Sequence, residues 1–316
     1  MEVELNLKPK RRGPLRRQID LAAGNLFATF AVLGIVLLAC IMALLAIRAW
    51  PLLQSHSLFE VLTGTEWKPS DGKFGLLPFI LGTAWTTGLG SLLAIPPSLL
   101  TAMYLSEYAR PTTRTLLKPV LDILAGIPSV IYGMWGVIAI VPWVQNRLAP
   151  WAKQAFPNFG LVQSSNPTGY GILSASLVLA LMVSPIMISI MFEVIHNVPA
   201  GMRESSLAVG ANRWQTVKKV VLPKASNGIL AAIVLGISRA LGETMAVLMV
   251  VGNTATIPHS IFDAAYPIPA LIANNYGEMM SIPMYDAALM GAALLLLVIV
   301  LAFNVAASLV LRRSLR

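Results

Sequence analysis

Charge is scarce in this sequence. Only 12% of its 316 residues are Asp, Glu, Lys or Arg, against about a quarter in soluble domains. So little polar material excludes a soluble enzyme and a disordered chain alike. Cysteine is nearly absent: Cys40 stands alone, which excludes an intramolecular disulfide and any Cys-rich metal site. The three histidines, His56, His196 and His259, are isolated and lack metal-ligand spacing. No G-x-x-x-x-G-K-[ST] run occurs, so the chain is not expected to cradle ATP phosphates itself. Nor do His, Asp and Ser assemble into a catalytic constellation, and no catalytic residue or bound metal is expected. Heptads, short repeats and low-complexity stretches are also missing.

Apolar residues fill the space. They make up 56% of the chain, and the mean hydropathy is +0.73. A helix needs about 20 apolar residues to cross a bilayer. Six such runs occur, at 21–47, 76–106, 119–144, 171–195, 226–252 and 287–311. The fold class expected is therefore an all-α polytopic membrane protein with six transmembrane helices. Pro96-Pro97 should break the second run near its far end, because proline removes a donor and clashes with the preceding turn. The first run is too long for the core of a signal peptide and reads as a retained helix. This divides the chain into a basic tail at 1–20, a first helix with its outer loop at 21–70, and a core at 71–316.

The basic residues orient the spans. Lys8, Lys10, Arg11, Arg12, Arg16 and Arg17 precede the first run. Arg110, Arg114 and Lys118 follow the second, and Arg203, Arg213, Lys218, Lys219 and Lys224 follow the fourth. Arg312, Arg313 and Arg316 close the chain. One side thus holds seventeen of the 23 Lys and Arg. The other holds Arg48, Lys68, Lys73, Arg147 and Lys153, and both ends are expected in the cytoplasm. The basic excess is then a topology signal and an attraction to anionic lipid, not a nucleic-acid surface. Trp50, Trp67, Trp143 and Trp151 in the outer loops suit interfacial anchoring.

Three stretches depart from plain apolar helix. The loop at 196–225 is divided by Pro199 and Gly210 into two short helical pieces. In the second piece Trp214, Val217, Val220 and Val221 recur at helical spacing. It reads either as a jointed docking element or as an amphipathic segment lying on headgroups. In the fifth run Arg239 and Glu243 sit mid-membrane, where a charge costs about 2.5–3.5 kcal/mol and marks a functional site by default. Four apart, they could neutralise each other as a structural pair. The arginine fork also matches an oxyanion, and Ala232, Gly236 and Ala240 form a small stripe for close helix approach. In the third run, Gly126-Ile127-Pro128-Ser129-Val130-Ile131-Tyr132-Gly133 loosens the backbone, which is tolerated where protein or a cavity satisfies the freed groups. Thr83, Thr87 and Ser91 share one face of the second span and suit either a pathway lining or interhelical hydrogen bonds. Lys118 and Asp122 read as an i, i+4 pair.

The pattern Glu-x5-Gly-x9-Val-x-Leu-Pro, carried by Glu204, Gly210, Val220, Leu222 and Pro223, resembles the EAA loop of ABC importer permeases. Ser205 and Ser206 stand where alanines are usual, and Val220 replaces isoleucine. With the Gly126–Gly133 run and Ser238-Arg239-Ala-Leu-Gly-Glu243-Thr, the chain from Phe74 onward resembles the membrane subunits of the phosphate-specific ABC importer, PstC type. The resemblance implies a type I ABC importer permease fold for residues 71–316 and import of inorganic phosphate across the cytoplasmic (inner) membrane. It implies ATPase coupling through Glu204, Gly210, Val220, Leu222 and Pro223. A substrate pathway would involve Arg239, Glu243, Ser129, Tyr132, Thr83 and Thr87. The implied partners are a related six-helix permease of the PstA type, two ATPase subunits of the PstB type and a phosphate-binding protein of the PstS type. No cofactor is implied in this chain, and ATP and Mg would be bound by the ATPase. The competing classes are an ion-coupled secondary oxyanion transporter with Glu243 as proton carrier, and an intramembrane enzyme acting on lipid. The former is often built from paired repeats, and no internal symmetry is evident here.

Overall fold

Runs this apolar close their backbone hydrogen bonds within one segment, and in a bilayer that means helices. The computed structural model describes residues 14–164, 166–277, 282 and 284–314. The expectations placed on the tail at 1–13 and on Arg316 lie outside the described residues. The helices are α1 (Pro14–Ser55), α2 (Leu58–Thr63), α3 (Leu77–Tyr108), α4 (Pro111–Gly126), α5 (Ser129–Ala155), α6 (Ile172–His196), α7 (Ala200–Ala208), α8 (Arg213–Leu241), α9 (Met245–Val250), α10 (Ile268–Asn275) and α11 (Tyr285–Ser314). A two-stranded hairpin, β1 (Trp67–Lys68) with β2 (Lys73–Phe74), precedes α3 in the register Trp67↔Phe74. Among the described residues five helices, α1, α3, α6, α8 and α11, are long and apolar enough to cross a membrane, and the count is six if the bent pair α4 and α5 is one broken span and not a re-entrant loop.

The chain divides into two compact units at Ile47/Arg48. The described part of the first is uninterrupted helix, with apolar side chains such as Phe27, Phe30, Ile35 and Leu37 exposed. In the second, α3 packs along α6. Ser176 Oγ donates to Thr86 O at 3.2 Å, and Ala175, Val178, Leu179, Met182 and Val183 form the buried spine. A second cluster gathers Phe79, Phe74, Tyr285 and Leu289 around Trp67, whose ring lies edge-on to Phe79 at 5.1 Å and to Tyr285 at 5.8 Å. Trp67 is therefore a packing residue, contrary to the interfacial role expected, whereas Trp50, Trp143 and Trp151 stay exposed. At the hairpin, Lys73 Nζ meets Glu66 Oε2 at 2.6 Å. That contact lowers the glutamate pKa and raises the lysine's.

Four local expectations are corrected. Pro96 and Pro97 do not break α3, because Ala94 and Ser98 beside them are buried and packing holds the helix together. The helix widens only in its last turn, where the Ala109 N–H reaches back to Tyr104 O at 2.8 Å. The third span is not continuous: α4 and α5 meet at 90°. Proline bars the residue before it from helical geometry, and Ile127 is accordingly extended at φ −64°, ψ 130°. The fifth run ends at Leu241, and three residues separate it from α9. Lys118 pairs with Glu193 at 2.5 Å, across to α6, in place of Asp122.

Candidate functional site

The small stripe on α8 sets the direction of Arg239. Ala232, Gly236 and Ala240 are buried, and a Cβ on Gly236 would come within 2.7 Å of Met187 Cγ on α6. With that stripe pressed on α6, Arg239 turns to the open side and is exposed. The expected Arg239–Glu243 pair does not form, because the helix between them ends at Leu241. Glu243 instead accepts the Ala246 N–H at 3.2 Å, at the start of α9. Among the described residues no acid forms an ion pair with Arg239.

The α4–α5 elbow lies beside this break. A Cβ on Gly133 would sit 2.8 Å from Met249 Sδ and 3.0 Å from Ala246 Cα, so α5 and α9 are in close contact there. Gly133 therefore serves packing as well as backbone freedom. Tyr132 donates its hydroxyl to Leu124 O at 2.9 Å, closing the elbow, and it lies near enough to Arg239 to feel that charge. Ser129 opens α5, whose N-terminus has no side-chain cap. The structure thus brings Ser129, Tyr132, Arg239 and Glu243 to two neighbouring helix breaks. Freed backbone at such depth is tolerated where protein buries it or water reaches it. Uncapped N–H groups and a guanidinium together form an environment for an anion.

The hydroxyl face of α3 divides. Thr83 Oγ1 donates to Phe79 O at 2.8 Å and accepts the Ile268 N–H at 2.9 Å. These two bonds hold α10 to α3, which is the interhelical role. Thr87 and Ser91 are buried on the same helix. A residue missed from sequence is Asn304 on α11, whose Oδ1 accepts from Ser238 Oγ at 2.8 Å, next to Arg239. An asparagine in a last run whose other polar side chain is Ser308 was the available signal.

The loop at 196–225 forms one bracket. Helix α7 ends in a Schellman arrangement: Ala211 N–H bonds Ser206 O at 3.2 Å, and Gly210 N–H bonds Leu207 O at 3.0 Å. Gly210 takes φ +87°, the left-handed region that glycine enters without a Cβ penalty. Asn212 and Gln215 form a reciprocal capping box that starts α8, and Ser206 Oγ meets Thr216 Oγ1 at 2.9 Å. The second helical piece is not short, as expected, but runs on through Val220, Leu222 and Pro223 into the span. A widened turn at Val217–Val221 precedes the proline and accommodates its missing donor. Val217 and Val221 are buried, whereas Glu204 is exposed and the apolar Leu207, Val209 and Trp214 stand out at 50%, 85% and 52% exposure. Apolar knobs rimmed by Arg213, Lys218 and Lys219 suit a protein contact.

Residues 71–316 match the family model described as binding-protein-dependent transport system inner membrane component. The chain is 37% identical over 290 residues to the phosphate transport system permease protein PstC of Xylella fastidiosa, covering 90% of this chain and 88% of that one. It is also 37% identical over 252 residues to the PstC protein of Pasteurella multocida, covering 79% and 78%. The fold resembles a crystal structure of a bacterial ABC transporter involved in the import of the acidic polysaccharide alginate, with a TM-score of 0.61 at 16% identity, over 94% of this chain and 99% of that one.

Proposed function

Since the chain belongs to the binding-protein-dependent transport system inner membrane components, and among them to the PstC-type permeases, we propose that it moves inorganic phosphate through a path passing Arg239. It is a permease subunit and not an enzyme, and ATP is hydrolysed by a separate subunit. The observation that carries the reading is Arg239: an exposed cation on a membrane-spanning helix, without an ion-pair partner among the described residues, beside two helix breaks. Facing hydrocarbon it would cost about 2.5–3.5 kcal/mol. A second subunit that leaves a wet seam along this face removes the cost and encloses a path.

The rest of the machine follows in the same terms. One bracket at 196–225 offers one ATPase contact, so a related PstA-type permease supplies the other. Two PstB-type ATPases, holding ATP and Mg, sit beneath the pair. A PstS-type binding protein delivers phosphate from outside, and both ends of this chain face the cytoplasm. Within the seam, Arg239, Tyr132, Ser129 and Glu243 line the path. Thr87 is its remaining candidate on α3, while Thr83 keeps a packing role. The relatives are phosphate transport system permeases, which lends the ion-coupled alternative no support.

Vesicles holding the four components should take up labelled phosphate only when ATP is on the side of the 196–225 loop. Uptake driven by a proton gradient without ATP would refute the reading. Orientation is checked with single cysteines at Ser70 and Ser205, both exposed, after Cys40→Ser. The first should label from outside and the second from inside, and labelling of both from one side would sink the topology.

A further inference from the structure

The bracket at 196–225 is joined by the chain itself to α6 and α8, but α3 is remote in sequence. Two arginines of the bracket, Arg203 and Arg213, close that gap at the last turn of α3. Arg203, on α7, donates Nε to both carboxylate oxygens of Glu107 at 3.2 and 3.3 Å, and Nη2 to Oε1 at 2.7 Å. Its Nη2 also donates to Ile195 O at 2.8 Å, and its Nη1 to Val198 O. Four of the five guanidinium donors are therefore engaged. Glu107 is 9% exposed and Arg203 21%, and Ser106 Oγ donates to the same carboxylate. On either side, Arg114 of α4 donates to Ser106 O at 2.5 Å, and Arg213 of α8 lies over the Tyr108 ring at 5.2 Å.

The geometry points to Glu107 and Arg203 as a clamp that carries motion of the 196–225 bracket directly into the last turn of α3 when the ATPase closes, beside the drive that α3 receives through its packing on α6. This rests on the reading of the chain as an ATP-driven permease. Exposed ion pairs contribute little to holding elements together, whereas a buried, forked pair that also binds backbone carbonyls fixes both distance and angle. Without it, α3 still follows α6 through their packed spine, and Arg213 still lies over Tyr108, but α7 no longer holds the last turn of α3 at a fixed distance and angle. That turn would then lag the bracket as the ATPase closes. Glu107 is a positioning residue: it touches neither solute nor nucleotide, and it acts through Arg203. The signature of its loss is uncoupling, with ATP consumed and little phosphate moved, in place of a parallel fall in both.

The test uses the complete transporter in vesicles, with labelled inorganic phosphate and hydrolysed ATP measured together and normalised to assembled complex. Glu107→Gln and Arg203→Lys should each lower phosphate moved per ATP by roughly tenfold, the scale of a typical coupling free energy, with hydrolysis largely kept. Because either variant could fold poorly, a second arm replaces Cys40 by Ser and installs Glu107→Cys with Arg203→Cys. In that one preparation, a short bifunctional thiol reagent should raise phosphate moved per ATP, and reduction should lower it again. Transport and hydrolysis falling in proportion in the point variants, or a cross-link that leaves the ratio unchanged, would overturn the clamp. If the unmodified complex shows no ATP-driven uptake at all, the underlying reading fails and the clamp with it.

Discussion

Replacing Arg239 by Gln is expected to lower phosphate uptake by about a hundredfold or more, since two charge-assisted hydrogen bonds at about 1.5–3 kcal/mol each are lost to an anion with no other cation among the residues proposed to line the path. The complex should still assemble. Arg239 lies on the open face of α8 and forms no ion pair among the described residues, while the packing face of that helix, Ala232, Gly236 and Ala240, is untouched. Arg239→Lys should rescue poorly, because an ammonium is a point charge and cannot grip two oxygens in a plane. Glu243→Gln should have a milder effect, weakening turnover, because the amide oxygen still accepts the Ala246 N–H that Glu243 now holds. The measurement is initial uptake rate in vesicles alongside the amount of assembled complex. Normal uptake by Arg239→Gln would remove this residue from the pathway, and loss of uptake through degradation alone would make its role structural.

The second large effect is at Gly210. A Cβ there meets nothing within 4 Å, so Gly210→Val introduces no clash. What it introduces is strain: φ +87° is left-handed, and a β-branched residue held there costs about 1–3 kcal/mol. The chain relieves this by leaving the left-handed region, which breaks the Ala211–Ser206 and Gly210–Leu207 bonds and re-aims α7 against α8. The spans, whose core lies elsewhere, should insert normally. Phosphate uptake should therefore fall by about tenfold or more, within the range of typical coupling free energies, while the protein level stays constant. Full uptake by Gly210→Val would mean that the angle between α7 and α8 does not matter for coupling. Gly210→Asn should be the mild variant, since asparagine visits the left-handed region readily.

Much of this molecule can be read in one dimension. Apolar runs long enough to span mark the helices, and proline at 128 and glycine at 210 mark a loosened stretch and a joint, because these residues restrict or free their own backbone whatever surrounds them. The five-position pattern from Glu204 to Pro223 is equally local. The arginine at 239 announces a site by its cost alone. Other features were not legible. Four-residue spacing suggested an Arg239–Glu243 pair, yet the helix ends between them. Lys118 had a near acid in Asp122 and a better one in Glu193, and only packing of α4 against α6 chooses between them. Glu107 and Arg203 lie 96 residues apart, and nothing in either neighbourhood names the other.

By itself, then, the sequence determined that this is a multi-pass membrane protein, that a glycine joint divides its 196–225 loop, and that an arginine stands in its fifth apolar run, while its resemblance to a family supplied the permease reading. Hydropathy, proline and glycine geometry and the cost of burying charge act on contiguous residues, and need no knowledge of the fold. Tertiary structure alone decided that Arg239 stands open beside the α4–α5 elbow, that Thr83 is spent on Ile268, that Asn304 meets Ser238, and that Glu107 grips the coupling bracket. Each of these is a hydrogen bond, ion pair or close contact between distant segments. Such contacts last about 3 Å, and no local preference can specify them until the helices have packed and the remaining polar groups must take whichever partners the packing brings within reach.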